Sequence, residues 1–271
     1  MGKITKIQWC DRTWNPWKGC AEVSPGCLNC YARVLLQDRF KKVKWGKNEL
    51  RKLNAKKTWM HPVSWNRMAK KLGLRYKVFP SMIDPFDESI PQEWKDNFWA
   101  LIAHTEHLDW LILTKRPEFI ESSGFFKDGP RTNVWLGVSV EDQIRAKERL
   151  PVLSQFYDSV PVVFVSYEPA LEYVDFSSYL DKIDWLIVGG ESGPKARPFH
   201  ESWGIRNKAM CKAFETAFFF KQLGANPRNI AGDSMPQIKD KKGGNPDEWF
   251  DYYRVREFPV PRKMNVLNEV Y

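Results

Sequence analysis

Short runs of apolar residues alternate with longer polar segments along most of the chain. The apolar runs predict strands at residues 13–17, 76–82, 109–114, 133–140, 161–167, 184–188 and 217–221. Most of these runs are apolar throughout, which is typical of parallel strands covered on both faces. The segments between them predict helices over 31–44, 92–104, 141–153 and 202–214. This alternation predicts an α/β fold, a partial βα (TIM-like) barrel.

Residues 222–271 break this rhythm, because they are loop-rich and basic. We therefore predict a barrel with an N-terminal cysteine loop over residues 1–224, and a C-terminal extension over 225–271 that packs on the barrel. A basic turn at 239–242 lies close in sequence to several aromatic residues. Such a turn suits a nucleic-acid contact, and a cap on the barrel is an equally good interpretation.

Composition narrows the class of protein. The 271 residues are 43% hydrophobic, which allows one large domain or two small ones. No apolar run approaches membrane-spanning length, and five cysteines, three of them clustered, suit a reducing cytosol better than a disulfide scaffold. We therefore expect a cytoplasmic protein without a membrane partner.

The net charge of +9 allows a polyanionic partner. Core packing is the first explanation of the thirteen tryptophans, and base stacking is the alternative.

The candidate chemistry begins with Cys20, Cys27 and Cys30, which form a Cys-x6-Cys-x2-Cys array. Pro25 and Gly26 fall inside the wider gap and favour a bend that turns the thiols inward. Three thiolates can hold three irons of a [4Fe–4S] cluster and leave the fourth iron open to a reacting ligand. Four thiolates would instead close the cluster or complete a structural zinc site.

The remaining cysteines leave an alternative open. A structural zinc site could be completed by Cys10 or His61, although the nine residues between Cys10 and Cys20 are a poor zinc spacing. We interpret Cys10 and Cys211 as buried or incidental thiols that bind no metal.

Polar or charged residues follow every predicted strand. Because the carboxyl ends of parallel strands meet at one end of a barrel, we expect these residues to line a single mouth. Lysines and arginines among them would make that mouth cationic and suited to phosphate. The candidate cofactor-binding residues are Tyr31, Ser81, Asp84, Ser139, Glu141, Gly189, Gly190 and Glu191, and the candidate catalytic residues are Lys115, Glu168 and Lys221.

Eight sequence blocks, spread over nearly the whole chain, carry a family resemblance. They are WCDRTWNPWKGCAEVSPGCLNCYA at 9–32, VFPSMIDPFDESIP at 78–91, LILTKRPE at 111–118, NVWLGVSVEDQ at 133–143, DWLIVGGESGPKARP at 184–198, FFFKQLG at 218–224, KDKKGGNPDEWF at 239–250 and RVREFP at 254–259. Together they resemble a phage-associated, radical-SAM-like protein family.

The resemblance implies a barrel of the radical-SAM type. Cys20, Cys27 and Cys30 would hold the [4Fe–4S] cluster, and S-adenosylmethionine would bind its open iron and give a 5′-deoxyadenosyl radical. Two features depart from the common radical-SAM pattern. The first cysteine gap is x6 rather than x3, and Asn29 stands where an aromatic residue is usual, which makes the neighbouring Tyr31 the candidate to cover the adenine.

The resemblance also implies a reaction. Radical-SAM isomerases of phage thymidine hypermodification move a glycyl substituent from nitrogen to carbon on the thymine methylene. The expected partners are DNA that carries the modified thymine and an electron donor such as flavodoxin or ferredoxin, in the host cytoplasm if a phage encodes the chain. Two alternatives stay open: radical-SAM repair or modification of another nucleobase or tRNA, and a non-catalytic, zinc-stabilised nucleic-acid-binding protein.

Overall fold

A seven-stranded parallel sheet forms the centre of the molecule in the computed structural model, which describes residues 5–264. In that range the strands are β1 (Arg12–Thr13), β2 (Trp17–Lys18), β3 (Lys52–Leu53), β4 (Tyr76–Phe79), β5 (Leu108–Thr114), β6 (Val134–Ser139), β7 (Val162–Tyr167), β8 (Trp185–Gly189), β9 (Phe199–His200), β10 (Ala217–Gln222) and β11 (Pro227–Arg228). The sheet has the order β1-β4-β5-β6-β7-β8-β10, so its strands follow the chain. It curls into a half-barrel, and the predicted partial βα barrel is confirmed.

Helices fill most of the connections between these strands. They are α1 (Tyr31–Arg33), α2 (Lys56–Leu72), α3 (Gln92–Ala103), α4 (Gln143–Ser154) and α5 (Glu201–Ala213). Three of the four predicted helices are found within two residues of their expected bounds. The helix expected over 31–44 is shorter, because α1 continues only as a π-helical segment, Val34–Arg39.

Helix α2 is a long helix that the sequence pattern did not predict. Pro62 lies inside it and has no backbone N–H to donate to the carbonyl of Thr58 four residues earlier. The indole Nε1 of Trp14 donates to this Thr58 carbonyl instead, at 2.8 Å. A tertiary contact therefore satisfies the group that the proline leaves open.

The first predicted strand was wrong in its extent. The run at 13–17 divides between β1, which ends at Thr13, and β2, which begins at Trp17 and pairs antiparallel with β3. Pro16 lies between them and has no N–H for a ladder bond. Likewise, the strand expected over 76–82 ends at Phe79, because Pro80 follows it.

Two apolar clusters cover the two faces of the sheet. The larger cluster packs the sheet against its helices. The smaller one fills the inside of the half-barrel, where the ring of Trp9 lies 4.4 Å from Phe79 and 6.1 Å from both Phe164 and Trp185. None of the thirteen tryptophans is exposed, so the core-packing interpretation is confirmed.

Polar positions follow the inner aromatic cluster along the same inward-facing side of the strands. Trp135 and Gly137 precede Ser139 on β6 at intervals of two residues, and Phe164 precedes Ser166 on β7. Because side chains alternate between the two faces of a strand, Ser139 and Ser166 face the interior near the carboxyl ends. The half-barrel therefore has an aromatic floor and a polar mouth.

Residues beyond β10 contact the edge of the sheet. The backbone of Phe220 donates to the Val255 carbonyl at 2.8 Å, so residues near 255 cover the outer edge of β10. The basic turn at 239–242 leads into Gly243, whose carbonyl accepts hydrogen bonds from the backbone of Leu223 and the indole of Trp249. These contacts support the cap interpretation of the turn. The boundary between 224 and 225 stays a prediction.

Helices that could cross a membrane are absent from residues 5–264, because none is both long and apolar enough.

The inner core yields a first prediction, at Gly137. A Cβ atom at this position would lie 2.6 Å from the ring of Phe164. We expect Gly137→Ala to lower the free energy of unfolding by about 1–3 kcal/mol, because it overpacks the interior. Urea unfolding would measure the change. Gly244→Ala is the control, since its Cβ would meet nothing closer than 3.6 Å. Equal stability of the two variants would contradict the close packing of Gly137 against the ring of Phe164.

Candidate active site at the carboxyl ends of the strands

The three predicted cluster ligands lie between β2 and α1, in a segment that ends with the first residue of α1 and that we call the cysteine loop (residues 19–31). Pro25–Cys27 forms one turn of 3-10 helix inside it, and all five cysteines of the chain are free thiols. Polar residues beyond the ends of β4, β5, β6 and β8 contact this loop. The structure therefore brings the cysteines to the strand ends where the sequence placed the candidate site.

The start of the cysteine loop is held by a buried ion pair between Asp84 and Arg116, with 2.8 Å between Oδ2 and Nη1. Asp84 also accepts a hydrogen bond from the backbone of Lys115 at 3.0 Å. The Nη2 atom of Arg116 donates to the carbonyl of Ala21 at 2.9 Å, and Nη1 lies 3.7 Å from the Sγ atom of Cys20. This pair links the ends of β4 and β5 to the first cysteine.

The middle of the loop is held by Glu141 and Arg149, whose charged atoms lie 2.9 Å apart. Glu141 is fully buried and accepts from the backbone of Gly26 at 3.4 Å, while Arg149 also donates to the carbonyl of Ser139 at 2.7 Å. Burial alone would raise the pKa of Glu141, but Lys115 and Arg149 lower it below its ordinary value. The carboxylate is therefore charged at neutral pH.

The end of the loop is held by Glu191 and Arg197, with 2.5 Å between Oε1 and Nη2. Glu191 accepts from the side-chain amide of Asn29 at 3.0 Å, and Arg197 donates to the carbonyl of Pro25 at 3.0 Å. Burial acts to raise the pKa of Glu191, but hydrogen bonds from Arg197 and Asn29 lower it. Asn29, which stands before the third cysteine and departs from the common pattern, thus anchors the loop.

We call the pairs Asp84–Arg116, Glu141–Arg149 and Glu191–Arg197 the three clamps. Each clamp joins a strand end to a different part of the cysteine loop. Three predicted cofactor-binding residues, Asp84, Glu141 and Glu191, are thus placed in ion pairs that position the loop.

A fourth pair, Glu168 with Lys221, lies inside the mouth. The Nζ atom of Lys221 is 2.5 Å from both carboxylate oxygens, and each side chain is 18% exposed. Gly189 lies beside Glu168, because a Cβ there would make an ordinary contact with Oε1 at 3.4 Å. The Tyr31 hydroxyl donates to the carbonyl of Ser81, while half of the side chain is exposed. Tyr31 therefore connects the cysteine loop to the mouth.

Gly190 has a packing role. Its backbone N–H donates to the carbonyl of Gln222 at 3.0 Å, and a Cβ at this position would lie 2.3 Å from the carbonyl oxygen of Leu223. Only glycine permits this approach of β8 to the end of β10. The charge of Lys115, the third candidate catalytic residue, helps to lower the pKa of Glu141.

The thiols can be compared with the ligand sets of metal sites. Within residues 5–264, no three His, Cys, Asp or Glu side chains converge to hold a metal ion. In an iron–sulfur cluster each thiolate binds a different iron, so its ligands need not converge on one point. Burial raises the pKa of Cys20 to about 12, and Arg116 acts to lower it. Cys20, Cys27 and Cys30 fit an iron–sulfur cluster, because they are free thiols on one loop and Arg116 favours the thiolate form of Cys20.

The residues named for the zinc alternative lie in other surroundings. Cys10 belongs to the inner aromatic cluster, and burial raises its pKa to about 12. The ring of His61 on α2 lies 6.0 Å from that of Trp65. Cys211 is buried on α5, and burial likewise raises its pKa to about 12. The expected burial of Cys10 and Cys211 is confirmed.

Comparison with protein families matches residues 4–251 to the family described as "Protein of unknown function (DUF5131)". The chain belongs to this family. No curated protein matches the chain by sequence. Among solved structures it is similar to a mutant of spore photoproduct lyase, with a TM-score of 0.44 and 8% sequence identity. That match covers 82% of this chain and 58% of the other, so this chain spans less than two thirds of that protein's length.

The buried clamp at Glu141 yields a second prediction. We expect Arg149→Met to lower the free energy of unfolding at pH 7 by about 3–5 kcal/mol, because it leaves a fully buried carboxylate without its arginine. The double variant Glu141→Gln/Arg149→Met should recover much of this loss, since no buried charge remains to be compensated. Urea unfolding of the three proteins measures both effects. A cost below about 1 kcal/mol for Arg149→Met would contradict the clamp.

The pH dependence of the same variant provides its control. In the native protein the pKa of Glu141 is lowered, so its stabilising effect is present above its unfolded pKa of about 4.3 and is lost as the pH falls through the folded pKa. Without Arg149 the folded pKa rises. The stability difference between native protein and Arg149→Met should therefore shrink between pH 7 and about pH 4. A constant difference would indicate damage unrelated to this charge.

Proposed function

We propose that the chain is a radical-SAM enzyme that modifies a nucleobase in DNA. The observation that carries this proposal is the position of the three-cysteine loop, which the three clamps hold at the carboxyl ends of a parallel half-barrel. In barrels of alternating strands and helices, this end is where active sites form. The sequence resemblance to radical-SAM proteins supports the same assignment.

Cys20, Cys27 and Cys30 would hold a [4Fe–4S] cluster, with S-adenosylmethionine on the iron that no thiolate occupies. The chemistry that the bound cluster and S-adenosylmethionine supply is a 5′-deoxyadenosyl radical, formed with one electron from a flavodoxin or ferredoxin. Among the cofactor candidates, Tyr31, Ser81, Ser139 and Gly189 remain available to S-adenosylmethionine, because they take no part in the clamps.

The protein's own contribution is position and protection from water. The aromatic floor around Trp9 closes the interior below the mouth and would keep water from a reactive substrate carbon. Arg116 beside Cys20 stabilises the thiolate that a cluster requires. The clamps fix the loop, and with it the distance between cluster and substrate.

Glu168 and Lys221 would bind the reacting part of the substrate. Each presents the charge that an amino-acid substituent can match, because Lys221 Nζ donates to a carboxylate and the Glu168 carboxylate accepts from an amine. This complementarity favours a glycyl-modified thymine as substrate and isomerisation from the N-linked to the C-linked form as the reaction. Lys221 and Glu168 would hold the glycyl group and orient its α-carbon, the reacting atom.

A third prediction concerns the cluster ligands. We expect Cys20→Ala, Cys27→Ala and Cys30→Ala each to abolish the brown colour and most of the iron and sulfide after anaerobic reconstitution, because each removes one of three thiolate ligands. Iron and sulfide assays with absorption near 400 nm measure the result. Cys10→Ala and Cys211→Ala are matched controls and should retain native iron. Native iron in any of the first three variants would remove that cysteine from the set.

A fourth prediction separates substrate chemistry from cluster binding. We expect Lys221→Met and Glu168→Gln to keep native iron content and to lower product formation on DNA by about 100-fold or more, as for loss of a proton-transferring or substrate-binding group. Mass spectrometry of nucleosides, with the free modified nucleoside and tRNA as competing substrates, measures the product and identifies the base. Lys212→Met, an exposed change on α5, is the control. Undiminished product in both site variants would contradict this role, and product only on tRNA would replace DNA as the substrate.

A further inference from the structure

The positive charge of the chain is concentrated in one segment. Residues 39–77 contain fourteen lysines and arginines and one acidic residue, Glu49. This segment is more positive than the whole chain, whose net charge is +9, so the remainder is net negative. Helix α2 lies within it and has no acidic residue in seventeen positions. Most of these basic side chains are exposed.

We call Lys18, on β2, together with Lys42, Lys52, Lys56 and Lys57 of this segment the basic surface. Pairing of β2 with β3 places Lys18 directly opposite Lys52. The charges of Lys42 and Lys52 both act on Lys18, whose Nζ atom donates to the side-chain oxygen of Asn54. Lys56 and Lys57 begin α2, where positive charge opposes the helix dipole.

The positions of these lysines destabilise the folded chain. Like charges directly across a strand pair are destabilising, and so are cations in the first turn of a helix. Within residues 5–264, none of the five lysines of the basic surface forms an ion pair with an acidic side chain. A polyanion would supply the negative charge that the fold does not.

The basic surface is joined to the candidate active site. The backbone of Gly46, in the same segment, donates to the carbonyl of Cys20 at 3.0 Å. Arg51 fixes this segment, because it forms a buried ion pair with Asp87 at 2.7 Å and donates to the Gly46 carbonyl at 2.9 Å. A chain of phosphates on the basic surface would therefore run beside the cysteine loop and the mouth.

We propose that the basic surface binds the phosphate backbone of DNA and delivers a base to the barrel mouth. The choice of DNA rests on the proposed function. Exposed lysines are point charges suited to phosphates, and a base must leave the helix to enter an interior site. The turn at 239–242 is less suited, because residues 239–251 contain three lysines and four acidic residues. We therefore assign the DNA contact to the basic surface.

Salt-dependent binding of the full-length chain to a fluorescent DNA duplex tests this assignment. Each lost phosphate contact should flatten the log–log slope of affinity against salt by about one. We expect the triple variant Lys42→Gln/Lys52→Gln/Lys56→Gln to bind more weakly at low salt, with a slope shallower by about three. The matched control, Lys239→Gln/Lys241→Gln/Lys242→Gln, removes the same charge and should keep the native slope.

Two further measurements make the result decisive. The melting temperature of the triple variant should be no lower than that of the native chain, because the change removes repulsion between Lys18 and Lys52. Its iron content should also be native. An unchanged slope in the triple variant, or an equal loss in the control, would overturn the assignment. Native binding to phosphatidylserine vesicles without binding to DNA would overturn it in favour of a membrane surface.

The same experiment distinguishes this inference from the proposed function. A native chain that takes up no cluster, but binds DNA through the basic surface, would overturn the radical-SAM assignment and support the DNA surface. A native chain with its full cluster and no salt-dependent DNA binding would support the radical-SAM assignment and overturn the DNA surface.

Discussion

The candidate site depends on the pairing of buried carboxylates with arginines. A loop of irregular backbone cannot hold three thiols in place by itself, and a buried carboxylate without a partner is strongly destabilising. Each clamp pairs a carboxylate with an arginine, and the same pair forms hydrogen bonds that hold the cysteine loop. Arginine suits this position, since its planar group can bond a carboxylate and a backbone carbonyl at once, as Arg116 does with Asp84 and Ala21.

The division of the half-barrel into an aromatic floor and a polar mouth follows from the two-residue period of its strands. On β6, β7 and β10 the inward-facing Trp135, Phe164 and Phe219 are large and apolar, whereas the inward residues at the ends are Ser139, Ser166 and Lys221. Apolar side chains at the ends would fill the interior and leave no site. The three clamps then close the mouth on one side with the cysteine loop, and Glu168 with Lys221 remains within it.

The sequence predicted the sheet well and the pairings within the site poorly. Strands are marked by local apolar runs, and the rule that their ends meet was enough to gather the candidate residues. The clamps depend on contacts between positions far apart, such as Gly26 with Glu141 and Asn29 with Glu191, 115 and 162 residues away in sequence. No local pattern encodes these. Arg149 had one signal, a charged residue within the buried stripe of α4. Helix α2 was not predicted, and the contact that accommodates its Pro62 is a tertiary one, from Trp14 to the carbonyl of Thr58.

The position of Trp9 has a consequence for the order of folding. This residue precedes β1, yet its ring packs against Phe164 and Trp185, which are encoded far later in the chain. During synthesis the interior can close only after β8 has emerged from the ribosome. Until then Trp9 and Phe79 present apolar surface that the finished protein hides. A nascent chain that has not yet reached β8 is therefore exposed to aggregation, and chaperone binding around Trp9 would protect it.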